Sequence, residues 1–392
     1  MEIILPNIGC TGCGACLQTC KSGAINMAIG EDGFGYPKIN TDKCVKCGQC
    51  MRVCHALNNT DLMNQPSECY AAQIKDKDVL FRSTSGGLFY TFALSVLNRN
   101  GVVYGCIFDE EYNAKIVRAE TLEQIEPMHG SKYVWSDSCH SYPQVKQDLE
   151  DGRTVLYTCL PCQAAGLKKY LKHEYDNLYI VDVLCGGSPS PYAFQMYLES
   201  LIGNLDKEEL NFQFRDKERF GSGVDCTYYL KSKKHFETWL ENSFYFAFSS
   251  KSRVTWRKSC YHCNYKSLNR VSDITIGDYW GVEKYHSRFD PKDGVSVILI
   301  NTEAGSRLFE SIKEMIDYEK SNPAYATERN SLVVNANEGH HPIPAEREEF
   351  FKILHNDGWR KADKKFLKLR HTMLFKQKVV KFSYKLRQLL GH

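Results

Sequence analysis

Eight cysteines in the first 54 residues fall into two identical runs: Cys10, Cys13, Cys16, Cys20 and Cys44, Cys47, Cys50, Cys54, both spaced C-x2-C-x2-C-x3-C. Soft thiolates at this spacing suit a 4Fe-4S cube. Two-residue gaps let one tight loop deliver three ligands, and the fourth cysteine reaches the neighbouring cube. The cross-over predicts two 4Fe-4S clusters, one on Cys10, Cys13, Cys16 and Cys54, the other on Cys44, Cys47, Cys50 and Cys20. Gly12, Gly14 and Gly48 suit loops that bend sharply with main-chain N–H groups close to sulfur. The rival is zinc, which usually takes two CxxC pairs parted by a knuckle or helix rather than two identical four-cysteine runs. A zinc-stabilised binding protein is therefore the weaker reading, and two close clusters have one evident use, the passing of single electrons.

Further along, the chemistry-bearing residues are scattered. Ser83, Ser85, Gly86 and Gly87 form a Ser/Gly turn ahead of a helix, a natural seat for phosphate, although most such turns are merely N-caps. Gly130-Ser131-Lys132-Tyr133 sets a cation and an aromatic beside a turn, where a solvated loop is the plain alternative. Cys162 follows a strand and opens a helix, Cys185 ends another strand, and Cys260 with Cys263 makes a further CxxC. Together these four would complete a third thiolate set. Cys69, Cys106, Cys139, Cys159 and Cys226 read as small core residues. Phe244, Tyr245, Phe246 and Phe248 read as a packed strand, and His340-His341 as a polar loop.

The elements that must position these groups suggest two to three domains in 392 residues. Residues 1–62 read as a duplicated strand, loop and helix module, with a likely edge strand at 36–40 and a polar linker at 58–68. From residue 69 helix and strand alternate, with a helix expected over 87–97 and strands over 101–108, 154–157, 178–184 and 295–300. The expected fold class is α+β and α/β: a ferredoxin-like two-cluster module, then an α/β body (69–175 and 176–350), then a basic helical tail (361–392). The chain is 43% hydrophobic and 25% charged, an ordinary globular balance, and the spacing among its seventeen cysteines speaks for ligands, twelve of them, rather than disulfides. The amino terminus has no basic region of a signal peptide, and no run of about 18 apolar residues occurs, so a cytoplasmic location is expected.

Six segments in order resemble the coenzyme F420 hydrogenase/dehydrogenase beta-subunit family over roughly residues 69 to 350. They are Ser85-Gly86-Gly87, Gly130-Ser131-Lys132-Tyr133, Pro161-Cys162-Gln163, Cys185-Gly186-Gly187-Ser188-Pro189, Phe214-Arg215-Asp216-Lys217, and residues 272–281, which end in Gly277-Asp278-Tyr279-Trp280-Gly281. The resemblance implies a flavoprotein, FAD being the expected flavin, with its own third 4Fe-4S cluster on Cys162, Cys185, Cys260 and Cys263. It also implies that Ser83, Ser85, Gly86, Gly87, Lys132 and Tyr133 line the flavin. Three departures stand out: Lys21 and His55 replace the proline that bacterial ferredoxins usually carry after the fourth cysteine, Cys159-Leu160 replaces Gly-Thr, and Cys185-Gly186-Gly187 replaces Cys-His-Gly. Flavin is a sensible companion to clusters because it exchanges one electron or two.

The expected function is a ferredoxin-linked oxidoreductase. A redox partner protein would meet the clusters, and a small-molecule hydride donor or acceptor, of coenzyme F420 type or from a surface-polysaccharide pathway, would meet the flavin. The alternative is an electron-transfer subunit without its own substrate. The tail is a separate question: residues 361–392 hold ten Lys/Arg against one acid, a net +9, and leave −6 on the other 360 residues. Apolar positions 366, 369, 373 and 380, then 379, 382, 386, 389 and 390, are interleaved with those charges as in a basic amphipathic helix. Attachment to an anionic membrane surface and docking on the acidic body are both open; nucleic acid is not an expected partner.

Overall fold

A computed structural model describes residues 5–6, 8–58, 62–138, 140–203, 207–217, 225–230, 233–235, 243–330 and 341–367, together with 372, 375, 378, 379 and 382. Cys139, His340 and most of the tail lie outside the described residues, as does the side chain of Cys226. Thirteen strands can be named in chain order among them. Strands β1 (Ile25–Ile29) and β2 (Gly35–Ile39) make the antiparallel hairpin of the amino-terminal module. The body holds β3 (Glu68–Ile74), β4 (Val102–Phe108), β5 (Ala114–Ala119), β6 (Val155–Cys159), β7 (Leu178–Val183), β11 (Ile274–Asp278), β12 (Ser296–Ile300) and β13 (Ile316–Ser321). Between β7 and β11 run β8 (Leu210–Asp216), β9 (Asp225–Leu230) and β10 (Lys233–His235), a separate antiparallel sheet.

The eight body strands form one sheet in the order β13-β3-β12-β11-β7-β6-β4-β5. Its centre is parallel (β11, β7, β6, β4) and its two edges are antiparallel. The central strands are near-continuous apolar runs, as strands covered on both faces must be. One face packs under the helices Leu88–Leu97 and Glu303–Glu310, with Phe92, Val96, Leu308 and Phe309 fully buried. The other packs under Ser141–Glu150 and Pro161–Leu171.

The module shares that second core: Ala15 and Val53, from its two short helices Ala15–Gln18 and Gln49–Arg52 and their ends, are buried among Tyr142, Ala164, Ala165 and Leu167 of the body. The boundary at 175/176 falls between the neighbouring strands β6 and β7 of one sheet. One expectation is corrected. Phe244, Tyr245 and Phe246 form a helical turn that continues as a π-helix over Ala247–Lys251, not a strand. The Ser243 hydroxyl accepts the Phe246 N–H and caps the turn, and Tyr245 then packs against Phe194 and Trp359, with Phe248 also against Trp359.

Candidate functional site: three thiol sets and a cationic turn

The repeat in sequence is a repeat in backbone. Gly12 and Gly14 are left-handed (φ 73° and 76°), and so are their counterparts Lys46 and Gly48 (φ 53° and 72°). Two left-handed turns in succession wrap each loop around a hollow before a short helix begins. Cys10, Cys13 and Cys16 line one small hollow together with Cys54. Cys44, Cys47 and Cys50 line another together with Cys20.

Burial first, then the neighbouring Cys10 and Cys54, pushes the Cys13 thiol up to about 12, and Cys16 rises for the same reasons. Four thiols so close resist joint ionisation unless cationic iron sits among them. Cys20 behaves oppositely: burial works against it, but the Ser22 hydroxyl and the Ala24, Ser22 and Ile25 N–H groups hold its thiol low. Among the described residues no three His, Cys, Asp or Glu side chains converge tightly enough to hold a single ion. A ring of four soft thiols around a hollow is the donor set that a 4Fe-4S cube takes.

The two hollows differ in what covers them. Cys47 is exposed, flanked by exposed Lys43, Val45 (73% accessible) and Lys46. The first loop is roofed by the body: the Trp135 indole donates to the Thr11 carbonyl at 3.2 Å, and a Cβ at Gly12 would meet Trp135 at 2.9 Å.

A third set lies just beyond the first. Cys162 opens the helix Pro161–Leu171 after β6, Cys185 follows β7, and Cys260 lies within a 3-10 turn (Lys258–His262) that Cys263 ends. This is the carboxyl end of parallel strands, where open α/β sheets bind ligands. Burial raises all four thiols, and mutual proximity adds to it for Cys162, Cys185 and Cys260, taking Cys185 to about 11 and Cys260 to about 12; Lys266, Arg270 and Arg257 partly oppose the rise. The Ser188 N–H donates to Cys260 Sγ at 3.3 Å. Cys159, one residue before the helix cap, instead points into the core, where Asp182 and Lys168 are its charged neighbours.

The first and third sets meet across Gly166. It lies one turn after Cys162 on the same helix face, and a Cβ there would sit 2.7 Å from Cys13 Cβ and 2.8 Å from Cys13 Sγ. Beside this contact His55 joins the Thr11 hydroxyl at Nε2 (3.0 Å) and the Tyr265 hydroxyl at Nδ1 (2.6 Å). Burial, then Lys169, pulls His55 down to about 4, so it is a neutral link between module and body. A histidine in the place of the usual proline is its only trace in sequence. Gly166 and Tyr265 leave none.

The Ser/Gly turn is tied to the sheet. Ser83 Oγ donates to the Val79 carbonyl, Ser85 Oγ to the Val295 carbonyl, and the Gly86 N–H to Ser296 Oγ. A Cβ on Gly86 would stand 2.4 Å from the Ala72 carbonyl, so close backbone packing already demands glycine there; Gly87 (φ 78°) starts the helix Leu88–Leu97. Lys132 Nζ donates to the carbonyls of Pro127, His129 and Gly130, and Tyr133 accepts from Arg215 Nη1 at 3.1 Å.

Sequence reading does not place Arg215, Lys217, Asp278 or Trp280 in the site, although their motifs are visible. Arg215 pairs with Asp278 at 2.8 Å, lies over Trp280, and reaches the Thr84 carbonyl. Lys217 Nζ donates to the carbonyls of Leu80, Ser85 and Asp293. Burial lowers Lys132 and Lys217 each to about 8, opposed by Cys106 for Lys132 and by Asp293 and Asp278 for Lys217. Both direct their hydrogen bonds to main-chain carbonyls, and Arg215 is ion-paired, so the turn gathers three cations with Asp278 as the carboxylate partner of one of them.

Residues 9–57 match a 4Fe-4S dicluster domain, and residues 152–324 match the carboxyl-terminal part of the Coenzyme F420 hydrogenase/dehydrogenase beta subunit. A 46-residue stretch is 46% identical to the B subunit of the Na(+)-translocating ferredoxin:NAD(+) oxidoreductase complex of Acetobacterium woodii, covering 12% of this chain and 13% of that protein. The chain therefore spans about an eighth of the length of the curated relative it matches. Among solved structures, one chain of the F420-reducing [NiFe] hydrogenase complex from Methanosarcina barkeri superposes with a TM-score of 0.48 at 16% identity, over 74% of this chain and 94% of that one.

Proposed function

From the premise that this is an iron–sulfur electron-transfer protein related to the coenzyme F420 hydrogenase beta subunit, we propose that it is a flavin-dependent oxidoreductase serving a small-molecule hydride donor or acceptor. The substrate is of coenzyme F420 type or an intermediate of a surface-polysaccharide pathway. A redox partner protein exchanges electrons at the amino-terminal module. When bound, the clusters supply one-electron exchange and the flavin converts it to a two-electron hydride step.

The chain's own residues divide that work. Cys20, Cys44, Cys47 and Cys50 hold the exposed cluster, Cys10, Cys13, Cys16 and Cys54 the covered one, and Cys162, Cys185, Cys260 and Cys263 the body cluster. Gly166 lets Cys13 approach the Cys162 helix, and the Tyr265–His55–Thr11 link joins the two units there. Lys132, Arg215 and Lys217, which donate to main-chain carbonyls in and around the Ser83–Gly87 turn, would set a positive field beside a flavin bound there. The observation that carries the proposal is the adjacency of Cys13 and Cys162, which places the module's covered thiols against those of the body.

Iron and flavin analysis of anaerobically purified full chain tests it. About twelve irons per chain are expected, falling to about eight in Cys260→Ala and staying at about twelve in Cys159→Ala, with bound flavin in all three. A reproducible eight irons, unchanged by Cys260→Ala, or no retained flavin, overturns it.

A further inference from the structure

Arg257 belongs by sequence to the body set, three residues before Cys260, whose N–H donates to the Arg257 carbonyl at 2.9 Å. Its side chain leaves that set and enters the amino-terminal module. The guanidinium is 1% exposed and forms no ion pair among the described residues. Nε donates to the Cys10 carbonyl at 2.7 Å, and Nη2 to the Gly35 carbonyl at 2.7 Å and to Cys10 Sγ at 3.6 Å. Three aromatic rings box it in: Tyr36 at 4.6 Å, Phe34 at 5.1 Å and Trp135 at 5.6 Å. Nη1 alone is buried without a partner, and it lies 2.8 Å from where a Cβ on Gly12 would stand, over the loop that carries Cys10 and Cys13. A buried cation whose Nη1 has no partner, packed against the loop that carries Cys10 and Cys13, is costly unless negative charge arrives beside it.

We propose that Arg257 is a positioning residue that sets the reduction potential of the first cluster. It donates Nη1–H and Nη2–H toward the sulfurs around Cys10 and places an uncancelled charge beside them. The inference rests on the reading that Cys10, Cys13, Cys16 and Cys54 hold a cluster. Reduction adds one electron to that cluster, with no bond made or broken, and so adds one negative charge next to Arg257. A fixed cation and N–H···S bonds stabilise the reduced form and raise the potential. The second loop is an internal control: it has the same spacing and backbone, but its Lys46 is solvent-exposed and no body side chain roofs it among the described contacts.

The test is a dithionite redox titration of the full-length, iron-loaded protein followed by electron paramagnetic resonance, which reads both clusters in one sample. In Arg257→Met the first cluster's midpoint should fall by at least a tenfold change in its one-electron equilibrium, about 59 mV, while the second cluster's stays in place. Arg257→Lys keeps the charge but loses the fork, and should fall between Arg257→Met and the unaltered protein. Should Arg257→Met lose the first cluster outright, Arg257→Lys carries the test alone, and an unmoved midpoint there overturns the inference. Equal shifts of both clusters overturn it as well. If the unaltered protein lacks the irons of the first set, the cluster reading itself fails; if they are present and the midpoint does not respond to Arg257, only the role of Arg257 fails.

Discussion

Replacing Gly166 by alanine sets two effects of opposite sign against each other. Gly166 lies within the helix Pro161–Leu171, where alanine should stabilise by about 1 kcal/mol relative to glycine. The new methyl group, however, would sit 2.7 Å from Cys13 Cβ, 2.7 Å from the Tyr142 hydroxyl and 2.8 Å from Cys13 Sγ, where ordinary contact begins at 3.4 Å. Something must yield by about 0.7 Å. Tyr142 is fully buried with its hydroxyl donating to the Gln163 carbonyl, so Cys13 and its loop are what must move. Overpacking of this kind costs about 1–3 kcal/mol. The net expectation is a loss of up to about 2 kcal/mol and a module pushed off the Cys162 helix. Thermal unfolding of the iron-loaded protein reads the first. The magnetic interaction between the first and body clusters, seen as splitting in electron paramagnetic resonance, reads the second and should weaken. Gly166→Val, with more bulk and a smaller helix gain, should do both more strongly. An alanine variant that is more stable by about 1 kcal/mol, with unchanged splitting, would show that the contact is not tight and would refute the reasoning.

Three other outcomes are expected. Lys132 and Lys217, lowered by burial from 10.5 to about 8, are charged below that pH and neutral above it, so flavin retention in equilibrium dialysis should weaken between pH 7 and 9. Over that range the unfolded chain holds more protons on these lysines than the folded one, so their deprotonation favours the fold, and loss of flavin would not be unfolding; flat retention would remove both lysines from the flavin site. Reversing charge at the exposed pair Lys43 and Lys46 should slow stopped-flow reduction by an acidic one-electron carrier roughly tenfold at low salt and little at high salt; salt-independent rates would place the partner elsewhere. Within the tail, Thr372, Phe375, Lys378, Val379 and Phe382 are helical and exposed, Phe375 and Phe382 at 67%. Full-length protein should therefore sediment with anionic vesicles at low salt, and protein truncated after Leu367 should not. The cut falls there because Trp359 and Ala362, on the helix Trp359–Phe366, are already buried in the body; equal sedimentation would reject a tail anchor.

What was legible in the sequence depended on how local its cause was. The grouping of the amino-terminal thiols follows from spacing alone, because three ligands on one loop leave the fourth no reach except to the neighbouring hollow. The strands β4, β6, β7 and β12 announce themselves as apolar runs, and observed bounds differ from expected ones by one or two residues. Phe244 to Phe248 mislead because consecutive aromatics carry no period; only the Ser243 cap marks the turn. The turn at Ser83 to Gly87 reads as a cradle, yet its glycine at 86 is already required by the Ala72 carbonyl behind it. The cations that gather there, Arg215 and Lys217, arrive from β8 and beyond, about 130 residues later. Arg257, Gly166 and Tyr265 act only through contacts between distant segments. No pattern of neighbours in sequence encodes that.

The roof over the first loop also has a timetable. Cys10 to Cys54 are translated first, and Arg257, which closes over them, is made about 200 residues later. At about 5–20 residues per second the nascent module stays uncovered for roughly 10–40 s. If the two sets take the proposed clusters, both loops are open to iron and sulfide during that interval, and afterwards only the loop around Cys47 stays exposed. Cluster insertion at the covered site would then precede closure of the body over it.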